Sequence, residues 1–297
     1  MSISSIVRNP EPISPATALR YAALCVVGLA LTWVAASLVP ASHVQDAVAL
    51  SDFTQLAHPR VDVLAKLMLA LLDPPLYTLW AIALVGIALG RERPKVALAA
   101  ALVLVLAPLS AEALKPLLAH PHAHVGYATV GAASWPSGHS TAAMTLALCA
   151  VLIAPRQARA LVAACGCAFA IAVGFSLLVL AWHLPSDVFG GYLLAALWSS
   201  LAIAALALAE RRWPSAAPRV QRSARVLPAL ASSLMVLLGV LLAVIAAFGI
   251  LVGVSLAVRH RHLALFAVDH RALVVAAFGI ATLAVLIAST LTAALRR

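Results

Sequence analysis

The chain has 297 residues, of which 64% are hydrophobic and only 10% charged, and it carries a formal net charge of +10. So large an apolar share excludes a water-soluble globule, which could not bury it, and points to an integral membrane protein. The positive charge does not indicate a nucleic-acid partner, because Lys and Arg are dispersed among short loops without stacking aromatics.

In chain order, residues 1–17 contain Pro10, Pro12 and Pro15 and read as a loose polar tail. Residues 18–40 form a first span that ends near Pro40. Val61–Leu72 is apolar but carries Asp62 and Lys66, and its length predicts an interfacial helix lying along the membrane surface. Further spans are predicted at 75–90, stopping at Arg91-Glu92-Arg93-Pro94-Lys95, then at 97–118, 139–154, 158–181 and 187–209. A basic linker follows at 211–226, and the C-terminal extension, 227–297, holds two more apolar runs near 227–257 and 272–294. Cys25, Cys149, Cys165 and Cys167 all lie inside apolar runs, with no metal or redox spacing, and read as small buried hydrophobes.

Eight spans place both termini on one side. Of the 20 Lys and Arg, only Arg60, Lys66, Lys115, Arg259, Arg261 and Arg271 fall on the other side. Basic residues accumulate on the cytoplasmic side, so the expectation is a multi-pass inner-membrane protein with cytoplasmic termini. All ten histidines then fall on the outer side.

The chain is organised around Trp135-Pro136-Ser137-Gly138-His139-Ser140, where a histidine-rich loop meets the fourth apolar run. A helix beginning at Pro-Ser-Gly directs free backbone N–H groups and its positive dipole end outward, a setting that favours an anion such as phosphate. Gly138 permits close backbone approach, and His139 can exchange a proton near neutral pH. Lys115 ends the third span, with Glu112 one turn before it. His183 and Asp187 stand at i, i+4 around the start of the sixth span, a spacing that lets the carboxylate fix the imidazole tautomer. Taken singly, Lys115 could merely snorkel and Asp187 could merely cap a helix. Together they bring ionisable groups to one membrane face, where such groups are costly and usually functional.

These residues resemble the three-part signature of the type 2 phosphatidic acid phosphatase (PAP2) superfamily, which reads Lys-x6-Arg-Pro, Pro-Ser-Gly-His and Ser-Arg-x5-His-x3-Asp. Here the parts are Lys115, Pro136-Ser137-Gly138-His139, and Ser176 with His183-x-x-x-Asp187. The resemblance covers about residues 18–210. It implies an all-α fold with a six-helix PAP2-like core, to which the two C-terminal spans are added. It also implies that His183 attacks phosphorus to give a phosphohistidine, that Asp187 orients it, and that His139 protonates the leaving oxygen and then activates water. Lys115, Ser137 and Gly138 would hold the phosphoryl oxygens, with Ser176 nearby. No metal and no cofactor are implied. The implied substrates are membrane lipids: phosphatidic acid, phosphatidylglycerol phosphate, and polyprenyl pyrophosphates such as undecaprenyl pyrophosphate.

The sequence departs from the signature twice. His122-Ala123 fills the Arg-Pro position and Leu177 replaces the third-motif arginine. Two lost charge-assisted hydrogen bonds would cost about 3–6 kcal/mol, or on the order of 10²–10⁴ in rate. A working enzyme with altered phosphate binding, in which His120 or His122 turns cationic against a phosphate, is favoured over a non-catalytic lipid-binding or transport protein of the same fold. His120, His122 and His124 also alternate along an extended segment and could converge on zinc or copper. That metal reading ranks below phosphate contact and below an incidental polar loop.

Overall fold

A computed structural model describes residues 14–123, 129–214 and 268–296. Among them the chain forms α1 (Pro15–Leu38), α2 (Pro40–Thr54), α3 (Pro59–Ala70), α4 (Pro74–Gly90), α5 (Pro94–Leu117), α6 (Gly138–Ile153), α7 (Arg159–Val179), α8 (Pro185–Arg212) and α9 (Arg271–Arg296). Six of these helices open on proline in the first turn, where the missing N–H would have had no intrahelical partner. No strand occurs among the described residues. The apolar run near 227–257 lies outside them.

The molecule is an all-α, polytopic membrane protein. Helices α1, α5, α7, α8 and α9 are each long and apolar enough to cross a bilayer. Three features differ from the sequence reading. The span expected at 139–154 is α6, which at 16 residues is shorter than the helices long enough to cross. The expected interfacial helix is α3, and it joins α4 across a 51° bend, so that the pair together has the length and apolarity of one bent span. Residues 40–54, which the hydropathy pattern left unassigned, form α2, a helix too polar and too short to span.

Helix α6 is the centre. Every residue from Ser140 to Ile153 is buried, against α5, α7 and α8 with α4 beyond. Being apolar all round, it needs neighbours on every side. The lining is small: a Cβ on Gly166 of α7 would come within 2.7 Å of the Ala147 Cβ, so the backbones pack closely, as small residues allow within membranes. Polar groups stitch the outer helices to this core. Pro108 cannot donate to the Leu104 carbonyl, and the Tyr77 hydroxyl of α4 does so instead at 2.7 Å. Tyr192 of α8 donates to the Ala170 carbonyl of α7 at 2.5 Å.

At one end of the bundle, arginines cap helix C-termini. Arg93 donates to the Ile153 carbonyl at 3.2 Å, and Arg159 to the carbonyls of Ala154 at 3.3 Å and Leu295 at 2.6 Å. Cations there complement the negative end of α6. At the other end α6 enters directly onto α8. A Cβ on Gly191 would lie 2.8 Å from the Ser137 carbonyl oxygen and 2.9 Å from the Thr141 nitrogen, and one on Gly190 would lie 2.7 Å from the Trp135 indole nitrogen. Only glycines let the entry turn of α6 seat there.

Gly191→Ala should therefore push backbone against backbone and destabilise by about 1–3 kcal/mol. Gly86→Ala in α4, where an added Cβ meets nothing within 4 Å, should leave the thermal midpoint unchanged or raise it. Thermal unfolding of the detergent-solubilised variants compares the two.

Candidate active site

The second end of the bundle gathers three chain segments. The last turn of α5 brings Lys115 and Glu112, whose ion pair measures 2.6 Å. The start of α6 brings Ser137, Gly138 and His139. Ser137 is the N-cap, its hydroxyl accepting from the Ser140 N–H at 3.3 Å. The start of α8 brings Asp187, with His183 just before the helix.

These segments are joined by hydrogen bonds. The Asp187 carboxylate is fully buried. Its Oδ2 accepts from His183 Nδ1 at 3.1 Å and from the Leu184 N–H at 3.0 Å. One oxygen thus caps α8 and orients the imidazole. This contact pairs the carboxylate with Nδ1 and leaves the His183 Nε2 on the far side of the ring. The Asp187 carbonyl accepts from the Ser137 N–H at 2.9 Å, which ties α8 to the entry of α6. A Cβ on Gly138 would stand 2.7 Å from Glu112 Oε1 and 3.6 Å from Lys115 Nζ. The ion pair therefore lies against the α6 N-terminus. His139 lies within electrostatic reach of His183, Asp73, Lys115 and Glu112, and its ring centroid is 6.1 Å from that of Trp182.

The loop between α5 and α6 brings His122 to the same end. Its Nε2 contacts the Gly131 carbonyl at 3.1 Å and the Ser134 hydroxyl at 3.0 Å. Burial holds its pKa below the ordinary histidine value, against the opposing pull of the Asp187 charge. This imidazole is therefore neutral at neutral pH, unlike an arginine. Its Nδ1 and the Nε2 of His120 are buried without partners, and the two rings meet edge-on at 4.6 Å between centroids. His124 lies outside the described residues, and among those described no group of three His, Cys, Asp or Glu is arranged to hold a metal.

The third motif is only partly assembled here. The Ser176 hydroxyl bonds back to the Ala172 carbonyl of its own helix at 2.8 Å. Leu177 is fully buried within the hydrophobic core. Sequence reasoning missed three residues. Asp73, at the N-cap of α4, lies near His139. His43 and Asp46 come from α2. The Asp46 carboxylate accepts from the Ser186 N–H at 3.1 Å and the Ser186 hydroxyl at 2.5 Å. Their only signal was polarity at i, i+3 in a stretch of mixed polar and apolar residues.

An apolar crevice of about 160 Å³ between α1, α8 and α9, lined by Leu24, Leu193 and Ile287 among others, contains none of these groups.

The family model of the PAP2 superfamily matches residues 81–213, which takes in Lys115, Pro136–His139 and His183–Asp187. That stretch of the chain is a PAP2-superfamily region, and the superfamily is in general one of phosphatases, including phosphatases of lipids. No curated protein and no solved structure matches the chain.

Burial, followed by the repulsion of Asp187, pushes the Asp46 carboxyl up from 3.8 to about 7, against the lowering effect of its bonds to Ser186. A carboxyl raised in the folded state favours folding at low pH, and that advantage is lost as pH rises through the folded value. Asp46→Asn cannot ionise. Its thermal midpoint should therefore gain on the parent between pH 5 and pH 8, by the equivalent of about 2–3 kcal/mol. Parallel melts at the two pH values measure this.

Proposed function

We propose that the protein is a lipid phosphate or pyrophosphate phosphatase working through a phosphohistidine. The observation that carries this reading is the buried Asp187–His183 pair, hydrogen-bonded through Asp187 to the glycine-led N-terminus of α6, beside Lys115. In the first step His183 Nε2 attacks phosphorus, a P–N bond forms, and the P–O bond to the lipid breaks. His139 gives its proton to the departing oxygen. In the second step His139 takes a proton from water, the resulting oxygen attacks phosphorus, and phosphate leaves as His183 is regenerated. Asp187 stabilises the imidazolium as it forms. Lys115, Ser137 and the Gly138 N–H hold the phosphoryl oxygens, and the dipole of α6 adds to them. His122 becomes cationic only when the phosphate arrives, and Ser176 borders the site. The distribution of Lys and Arg supports an outward-facing site in a bacterial-type inner membrane, with cytoplasmic termini. A site at the ends of spans suits a lipid whose tail stays in the bilayer.

The second reading, a non-catalytic lipid-binding or transport protein, draws on Leu177 being buried in the core. Phosphate release from phosphatidic acid, phosphatidylglycerol phosphate and a polyprenyl pyrophosphate by purified protein decides between them. His139→Ala and His183→Ala should each lower turnover by at least about 10³-fold. Unchanged turnover in either variant rejects the mechanism. His122→Arg should keep or raise activity, whereas Leu177→Arg should damage folding without restoring phosphate affinity.

Glu112 takes one of the three donors of the Lys115 ammonium beside Gly138, and its negative charge opposes an incoming phosphoryl group. Glu112→Gln should lower KM about two- to fivefold with little change in kcat. Steady-state kinetics on one lipid phosphate tests this.

A further inference from the structure

We propose that α2 is a positioning element for the active site, with His43 holding the histidine loop and Asp46 holding the nucleophile-bearing turn of α8. The proposal rests on the phosphatase reading for its kinetic consequence, but not for its geometry.

Helix α2 is neither a span nor part of the family-matched stretch, which begins at residue 81. It follows α1 after the single residue Val39 and packs on α1, α7, α8 and α9. His43 and Asp46, at i and i+3, share one face of it. His43 Nε2 accepts from the Ala123 N–H at 2.7 Å, immediately beside His122, and its ring lies 6.4 Å from those of both His120 and His122. One turn on, Asp46 uses both carboxylate oxygens on Ser186. Ser186 stands between His183 and Asp187 in sequence, and its N–H is among the first-turn donors that no helical carbonyl can reach. The Asp187 side chain already serves Leu184 and His183. Asp46 therefore supplies, from 140 residues earlier, what the first turn of α8 still lacks.

An ordinary cap is local and settles one helix end. Here a single turn of α2 grips two segments that are distant in sequence and must both face the same phosphoryl group. Loss of either grip should shift a reacting group by a fraction of an ångström, and rates respond to such displacement far more steeply than binding does.

The test uses the full chain in detergent or nanodiscs. Asp46→Ala should lower kcat at least about tenfold while KM stays within about threefold. Asp46→Asn, which keeps an acceptor, should recover much of the loss, as His43→Gln should relative to His43→Ala. Val44→Ala, an exposed neighbour on α2, should match the parent. Amide hydrogen exchange gives a readout independent of activity: the first turn of α8 should exchange faster in Asp46→Ala, and the amide of Ala123 faster in His43→Ala. Should Asp46→Ala not fold, Ser186→Ala carries the same exchange measurement. Unchanged exchange at α8, or unchanged kcat in an active protein, overturns the proposal. A parent protein inactive on every lipid removes the phosphatase reading instead, and exchange alone then decides for or against the role of α2.

Discussion

The structure turns on one buried carboxylate. Asp187 has no exposure to solvent, and burying a carboxylate is costly unless hydrogen bonds compensate it. Its Oδ2 receives both the His183 imidazole and the Leu184 N–H, and its backbone carbonyl receives the Ser137 N–H. The same residue thus begins α8, orients a histidine and anchors α6. The other oxygen, Oδ1, is buried without a hydrogen-bond partner among the described residues, so these bonds offset only part of the cost of burial while they fix three pieces of chain relative to one another.

Helix α6 answers to that anchor in a polarised way. Its N-terminus meets the site with Gly138 against Lys115 and Glu112, while its C-terminus is met by Arg93 and Arg159. Positive side chains neutralise the negative end, and the positive end is left for an anion. The glycine pair of α8 lets this axis sit in contact with the turn that carries His183. The proposed chemistry therefore depends on packing as much as on titratable groups.

The candidate site carries little fixed positive charge. Lys115 is shared with Glu112, and His122 is kept neutral by burial. Such a site gains its charge as the ligand enters, because an approaching anion favours the imidazolium. Helix α2 compensates in geometry for what the site lacks in fixed charge, by holding the histidine loop and the α8 turn together.

The apolar runs were legible from composition, because bilayer length and hydropathy constrain spans more tightly than any tertiary contact does. Lys115, the Pro136–His139 turn and the His183–Asp187 pair were legible because each depends on local spacing at a helix end. Helix α2 was not, since a short segment of mixed polar and apolar residues resembles a loop until its partners are known. Nor was the pairing of α3 with α4, which meet at a 51° bend between Ala70 and Pro74. The sequence alone determined a membrane bundle and the residue types gathered at one candidate site. Only the tertiary structure decided that Leu177 faces the core, that His122 rests neutral beside Asp187, and that Asp46 reaches Ser186. Burial and contacts between distant segments set those outcomes, and no local pattern encodes them.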